Sequence, residues 1–106
     1  GVANAALTNL MRQLSWALGD RGVTAHLVAP GPADTERLHT IAAASAAKRG
    51  VTAEVVLDEI RQQSAIRSFT SPEQVAWGIC LLLDPEADAM AGASLMLDAG
   101  RRHGLP

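Results

Sequence analysis

Hydrophobic positions along the chain divide it into alternating helix-like and strand-like stretches. Leu7, Leu10, Met11, Leu14 and Leu18 recur at helical spacing. Asn4 is placed to cap this helix by accepting a bond from a free backbone N–H. Gly19, Asp20, Arg21 and Gly22 end it with turn chemistry. Residues 23–29 (Val-Thr-Ala-His-Leu-Val-Ala) are short, partly β-branched and mostly apolar, and Pro30-Gly31-Pro32 stops them. This run predicts a strand. Its apolar residues fall on both faces, as in a parallel strand covered by helices on each side.

Residues 36–49 are Ala-rich and predict a helix that stops at Gly50. Thr52 is the expected cap of a following helix bearing Val55, Val56 and Ile60. Residues 62–70 read as irregular. Ser71-Pro72-Glu73-Gln74 is the clearest start signal: a capping Ser, Pro at the first helical position, and Gln after it. The helix it opens carries Val75, Ile79, Leu82 and Leu83, and Asp84-Pro85 closes it. After a loop, residues 94–98 (Ser-Leu-Met-Leu-Asp) predict a second short strand ending at Ala99-Gly100. The tail from Arg101 to Pro106 is polar except for Leu105. Two strands joined through helices suggest a right-handed parallel crossover. Two such strands leave edges and faces that this chain cannot cover by itself, so further strands are expected from elsewhere.

Composition narrows the class. The chain has 106 residues, 48% of them hydrophobic, and a net charge of -2. These values fit one small domain or a piece of a larger one. Its basic residues are scattered, which argues against a nucleic-acid partner. No apolar run approaches a membrane span. The single cysteine, Cys80, rules out a disulfide within one chain and fits a reducing, cytoplasmic setting. The chain opens on Gly1 rather than Met, already close to a helical pattern, as a trimmed or truncated chain would.

Three stretches together resemble the short-chain dehydrogenase/reductase family. Ala5-Ala6-Leu7-Thr8-Asn9-Leu10, continuing to Leu18-Gly19, resembles the helix after the family's Tyr-x-x-x-Lys motif. Residues 22–35, from Gly-Val-Thr through Pro30-Gly31-Pro32-Ala33-Asp34-Thr35, are similar to the family's sixth strand and its Pro-Gly loop. The stretch from Ser71-Pro72-Glu73-Gln74 through Gly92 to Leu97-Asp98-Ala99-Gly100 resembles its last helix and seventh strand. The ordered set covers nearly the whole chain.

The resemblance implies an α/β fold: the C-terminal portion of a doubly wound, Rossmann-like parallel sheet in the order helix, strand, helices, strand. Residues 1–106 would be the C-terminal segment of a single Rossmann-like domain, with 36–66 its variable substrate-binding or lid segment. The complete protein is expected to be an oxidoreductase that passes hydride between NAD or NADP and a carbonyl or alcohol substrate. Its catalytic Tyr and Ser would lie upstream, the Tyr just before Gly1. The chain has no Tyr of its own and is expected to be inactive alone. Homo-oligomers, dimers or tetramers, are the family's common form.

Residue by residue, the resemblance makes Asn4 the catalytic-site position, where the family has Lys. A cation there favours the phenolate form of the Tyr, and Asn supplies no charge. That departure keeps open a second reading, a non-catalytic relative with a ligand-binding or assembly role. Asn4 as a plain helix cap is equally compatible. Pro30, Gly31, Ala33 and Thr35 are the candidate cofactor-binding residues. A strand end in such a sheet is where ligands bind, and Gly31 is expected to let the backbone approach a ligand closely. Pro32 has no N–H, so the nicotinamide carboxamide would bond the backbone at Ala33, with the Thr35 side chain in support. An ordinary strand-ending turn, with Thr35 or Asp34 capping the next helix, is the plainer alternative. Leu38 and Ile41 are candidate substrate contacts; packing on the sheet would place them equally well.

His26, His39 and His103 lack metal-ligand spacing with Cys80, so no metal is expected. His26 reads as a core histidine with its bonds satisfied, and His39 as a surface residue. Asp84, Glu86 and Asp88 read as a solvated loop. Trp16 and Trp77 read as packing or interface residues. The Pro-Gly loop and terminal strand argue against an unrelated helical interaction module.

Overall fold

The structure, a computed structural model, describes residues 2–101. In chain order it contains α1 (Val2–Leu18), a 3₁₀ turn (Gly19–Arg21), β1 (Leu27–Pro30), α2 (Glu36–Arg49) and α3 (Ala53–Arg61). There follow α4 (Pro72–Leu81), a second 3₁₀ segment (Pro85–Met90) and β2 (Ser94–Leu97). The strands form one two-stranded parallel sheet. Its register shows in the flanking bonds: Leu27 N–H donates to the Ala93 carbonyl at 3.1 Å, and Gly31 N–H to Leu97 at 3.1 Å.

The starts of α2, α3 and α4 and the end of α2 follow the sequence closely. The Thr35 hydroxyl accepts from Leu38 N–H and the Thr52 hydroxyl from Val55 N–H. Gly50 closes α2 in the left-handed region at φ 68°, where a Cβ would be strained. At α4 the reciprocal box is complete: Gln74 N–H donates to Ser71 Oγ at 3.0 Å, and Ser71 N–H donates to Gln74 Oε1 at 2.9 Å.

Four elements depart from expectation. Asn4 is not a cap, because α1 already includes Val2; its carbonyl accepts the Thr8 hydroxyl at 2.9 Å. The first strand is confined to Leu27–Pro30, since residues 23–26 form no ladder. Helix α4 ends at Leu81, before Leu82 and Leu83. The loop bearing Asp84, Glu86 and Asp88 is a 3₁₀ segment, capped by Asp84 Oδ1 accepting from Glu86 N–H at 2.9 Å. The tail containing His103 and Leu105 lies outside the described residues.

The described residues divide into two compact units, 2–29 with 76–96, and 30–75 with 97–101. In the first, the Ala25 carbonyl accepts from both the Ser15 hydroxyl (3.0 Å) and Gly92 N–H (2.8 Å), which ties α1 to the approach of β2. Helix α1 has no buried residue, and Trp16 and Trp77 are 87% and 63% exposed. Both tryptophans are therefore largely exposed to solvent. In the second unit, Ala42 and Ala46 of α2 pack on Val56 and Leu57 of α3, with Leu38, Ala53, Ile60 and Phe69 around them. Small residues on α2 let the two helices approach closely. Arg49 and Glu59 bridge the pair through two bonds of 2.7 and 2.8 Å.

Candidate functional site

The loop leaving β1 is held by backbone bonds on one side. Gly31 N–H extends the ladder by one rung onto the Leu97 carbonyl. The Pro32 carbonyl then accepts from Thr70 N–H at 3.1 Å, and Asp34 N–H donates to the Thr70 carbonyl at 2.9 Å. This is a parallel bridge of Ala33 with Thr70. Thr70 is buried, and its hydroxyl donates to the Leu97 carbonyl at 2.7 Å. One threonine thus fastens the loop after β1 to the end of β2.

That pairing sets the direction of Ala33. In a parallel bridge, the partner bonds the residues on either side of the bridged one, so Ala33's own N–H points away from Thr70. Ala33 is half-buried, and among the described residues its N–H has no hydrogen-bond partner. Its carbonyl accepts from Thr35 N–H at 2.8 Å, which turns the chain into α2. Thr35 caps that helix with φ −124° and ψ 161°; its hydroxyl accepts from Leu38 N–H at 3.3 Å and keeps its own proton to donate. Asp34 Oδ1 lies 2.8 Å from His39 Nε2 at the surface.

The structure gives Gly31 a reason other than the one its sequence suggests. A Cβ built on Gly31 would lie 2.9 Å from Asp98 Cα, 3.0 Å from its Cβ and 3.2 Å from its carbonyl oxygen. The glycine is required by contact with the residue after β2, and no ligand enters that argument.

The remaining candidates are placed as follows. Pro30 ends β1 and is exposed. Asn4 is exposed on α1, in the first unit, whereas Pro30 to Thr35 belong to the second. Leu38 packs against the α2–α3 core, and Ile41 is 53% exposed. His26 corrects its expectation: both ring nitrogens are buried, and neither has a partner among the described residues. His39 is exposed, as expected, and pairs with Asp34. Cys80 is a free, exposed thiol. Among the described residues no group of His, Cys, Asp or Glu could hold a metal, and no helix is long and apolar enough to cross a membrane.

Thr70 is the residue that sequence reasoning passed over. It stands in a polar, irregular stretch with no periodicity, and its side-chain partner lies 27 residues away. Its place just before the Ser71 cap is the only local signal.

Comparison with known proteins bears on the family and the fold. The family model described as enoyl-(acyl carrier protein) reductase matches residues 1–102. The chain belongs to the short-chain dehydrogenase/reductase family. Within that family it is 28% identical over 99 residues to short-chain reductase protein NovJ of Streptomyces niveus, covering 93% of this chain and 36% of that protein. It is 29% identical over 99 residues to acetoacetyl-CoA reductase of Synechocystis, covering 93% and 37%. L-sorbose reductase from Gluconobacter frateurii, solved with NADPH and L-sorbose, superposes with a TM-score of 0.87 at 22% identity, over 98% of this chain and 40% of that one. 4-Hydroxyisoleucine dehydrogenase, solved with NADH, superposes at 0.76 with 17% identity, over 98% and 39%. At these identities the structures establish the fold. The chain spans under two-fifths of the length of these two curated short-chain dehydrogenase/reductase relatives, and its two parallel strands match the C-terminal part of the family's sheet.

Proposed function

We propose that the protein carrying this chain is a nicotinamide-dependent oxidoreductase that transfers hydride between NAD(H) or NADP(H) and a carbonyl or alcohol. In this reading residues 30–35 receive the nicotinamide end of the cofactor. The observation that carries the proposal is the Ala33 N–H, directed away from Thr70 and without a partner among the described residues, at the end of a parallel strand. A carboxamide oxygen is a suitable acceptor for it, and the Thr35 hydroxyl retains a proton to offer. These residues fit that end of the cofactor, which when bound supplies or accepts the hydride. Relatives solved with NADPH and NADH support the reading. Ile41, exposed on α2, is the better placed of the two substrate candidates, since Leu38 is committed to the core. A homo-oligomer remains part of this proposal, as does a soluble, cytoplasmic setting.

Asn4 favours a second reading. It stands at the family's Lys position and brings no charge, so a Tyr beside it would lack the cation that favours its phenolate. A relative that binds ligand without turnover would tolerate this. The two readings separate when the protein is mixed with NADH or NADPH and a panel of carbonyl compounds. Loss of the reduced nicotinamide's absorbance supports the oxidoreductase. Cofactor binding with no turnover sinks it and leaves the binding protein.

A further inference from the structure

The second unit contains a cleft apart from the loop after β1. It has a volume of about 630 Å³ and is lined by Gln62, Gln63, Ser64, Ala65, Arg67, Gly100 and Arg101. Among the described residues no acidic side chain lines it. Two arginines do, and their pairing sets them apart from their neighbours. Arg49 and Arg61 are neutralised by Glu59 and Glu54 at 2.7 Å each. Arg67 instead donates to the Gln62 carbonyl, and Arg101 to Gln63 Oε1 at 3.1 Å. Among the described residues neither has a carboxylate within ion-pair distance.

The frame that presents these arginines is constrained. Ser64 bridges Arg101 in antiparallel sense, and Ala65 N–H donates to the Gly100 carbonyl at 3.0 Å. The Ser64 hydroxyl, buried, accepts from Ser68 N–H and shares its one proton between the carbonyls of Arg61 and Ser68. The Asp98 carboxylate accepts from Gly100 and Arg101 N–H at 3.1 and 3.3 Å. Arg67 and Ala99 are the two non-glycine residues at positive φ, 54° and 56°, among the described residues, and Gly100 is at 75°. Left-handed backbone at such residues persists only where surrounding structure enforces it, and it clusters at ligand sites.

The geometry points to a binding site in this cleft for a phosphoryl group, held by the Arg67 and Arg101 guanidiniums. Two uncompensated guanidiniums match the double negative charge of a phosphate monoester better than a single carboxylate. Their planar N–H forks bond phosphoryl oxygens in pairs. Gln62 and Gln63 add amide donors, and the volume is that of a pocket for an organic ligand rather than a lone ion. The proposal does not depend on hydride transfer.

The test is titration of the full chain with inorganic phosphate, pyrophosphate and glucose 6-phosphate, followed by the backbone amide signals of residues 62–67 and 100–101. Saturable shifts confined to these residues are expected, weakening as salt is added. Tighter binding of glucose 6-phosphate identifies a phosphorylated organic ligand; equal or tighter binding of the inorganic anions identifies free phosphate. Arg101→Gln should weaken binding at least tenfold, and Arg101→Lys should retain part of it. Arg67→Gln provides a second test if circular dichroism shows that it folds. Absence of saturation, or binding unchanged in Arg101→Gln, overturns the proposal.

Discussion

Replacing Gly31 by Ala places a methyl group 2.9 Å from Asp98 Cα and 3.0 Å from its Cβ, where ordinary contact begins at 3.4 Å. The obstructing atoms include backbone, so they cannot swing aside as a long side chain would. Either the loop lifts from Leu97 or the turn after β2 shifts. Overpacking of this kind costs about 1–3 kcal/mol, and the reduced freedom of the unfolded chain returns about 0.4–1, so a net loss centred on about 1 kcal/mol is expected. Equilibrium urea unfolding followed by circular dichroism reads it directly. The midpoint should fall while the slope stays constant, the signature of lost stability without a change in the surface exposed. If Gly31→Ala is as stable as the parent, or more so, the packing argument is wrong. A stable variant with weakened cofactor binding would instead restore close ligand approach as the reason for the glycine.

Three further outcomes follow from the same geometry. Gly100→Ala puts a Cβ 2.6 Å from Ala65 Cβ at φ 75°, so it should be more damaging than Gly31→Ala; adding Ala65→Gly should recover the clash but not the backbone strain, as urea midpoints of both variants would show. Thr70→Val removes the hydroxyl bond to Leu97 but leaves that carbonyl its bond from Gly31 N–H, so a loss of about 1 kcal/mol is expected by the same assay. The Arg49 guanidinium holds the Glu59 carboxyl below the usual carboxylate range, first through its hydrogen bonds and then through its charge. A lowered folded value means that the bridge stabilises at neutral pH, and that the contribution fades as pH falls from the ordinary carboxylate range through Glu59's lower value. Titration of the Glu59 carboxyl carbon by NMR should show the depression, and Arg49→Gln should abolish it.

Local chemistry was the legible part of this chain. The caps at Thr52 and Ser71 and the stop at Gly50 each depend on residues a few positions apart, and each appears as read, while the Thr35 cap is the plainer of the two readings of that residue. The order of helices and strands was legible for the same reason, with hydrophobic periodicity carrying it. Long-range bonds were not legible. Thr70 acts on Leu97 and on the backbone flanking Ala33, and nothing near it in sequence announces either partner. The closeness of Asp98 to Gly31 was not legible either, because Asp98 is distant in sequence; close approach of a ligand at Gly31 stays part of the proposal. A core His26 with its bonds satisfied is the usual case for a buried polar group; that its ring nitrogens find no partner among the described residues is an exception that no local pattern predicts. Of the candidate site, residues 30–35 come together as one loop, while Asn4 belongs to the other unit.

The central claim is that the Ala33 N–H receives the nicotinamide end of a dinucleotide. The most direct measurement is the Ala33 amide signal of the protein carrying this chain as NADH or NADPH is added. A saturable downfield shift at Ala33, with smaller shifts at Thr35 and none across α3, is the predicted result. Saturable cofactor binding that leaves the Ala33 amide where it was would contradict the account.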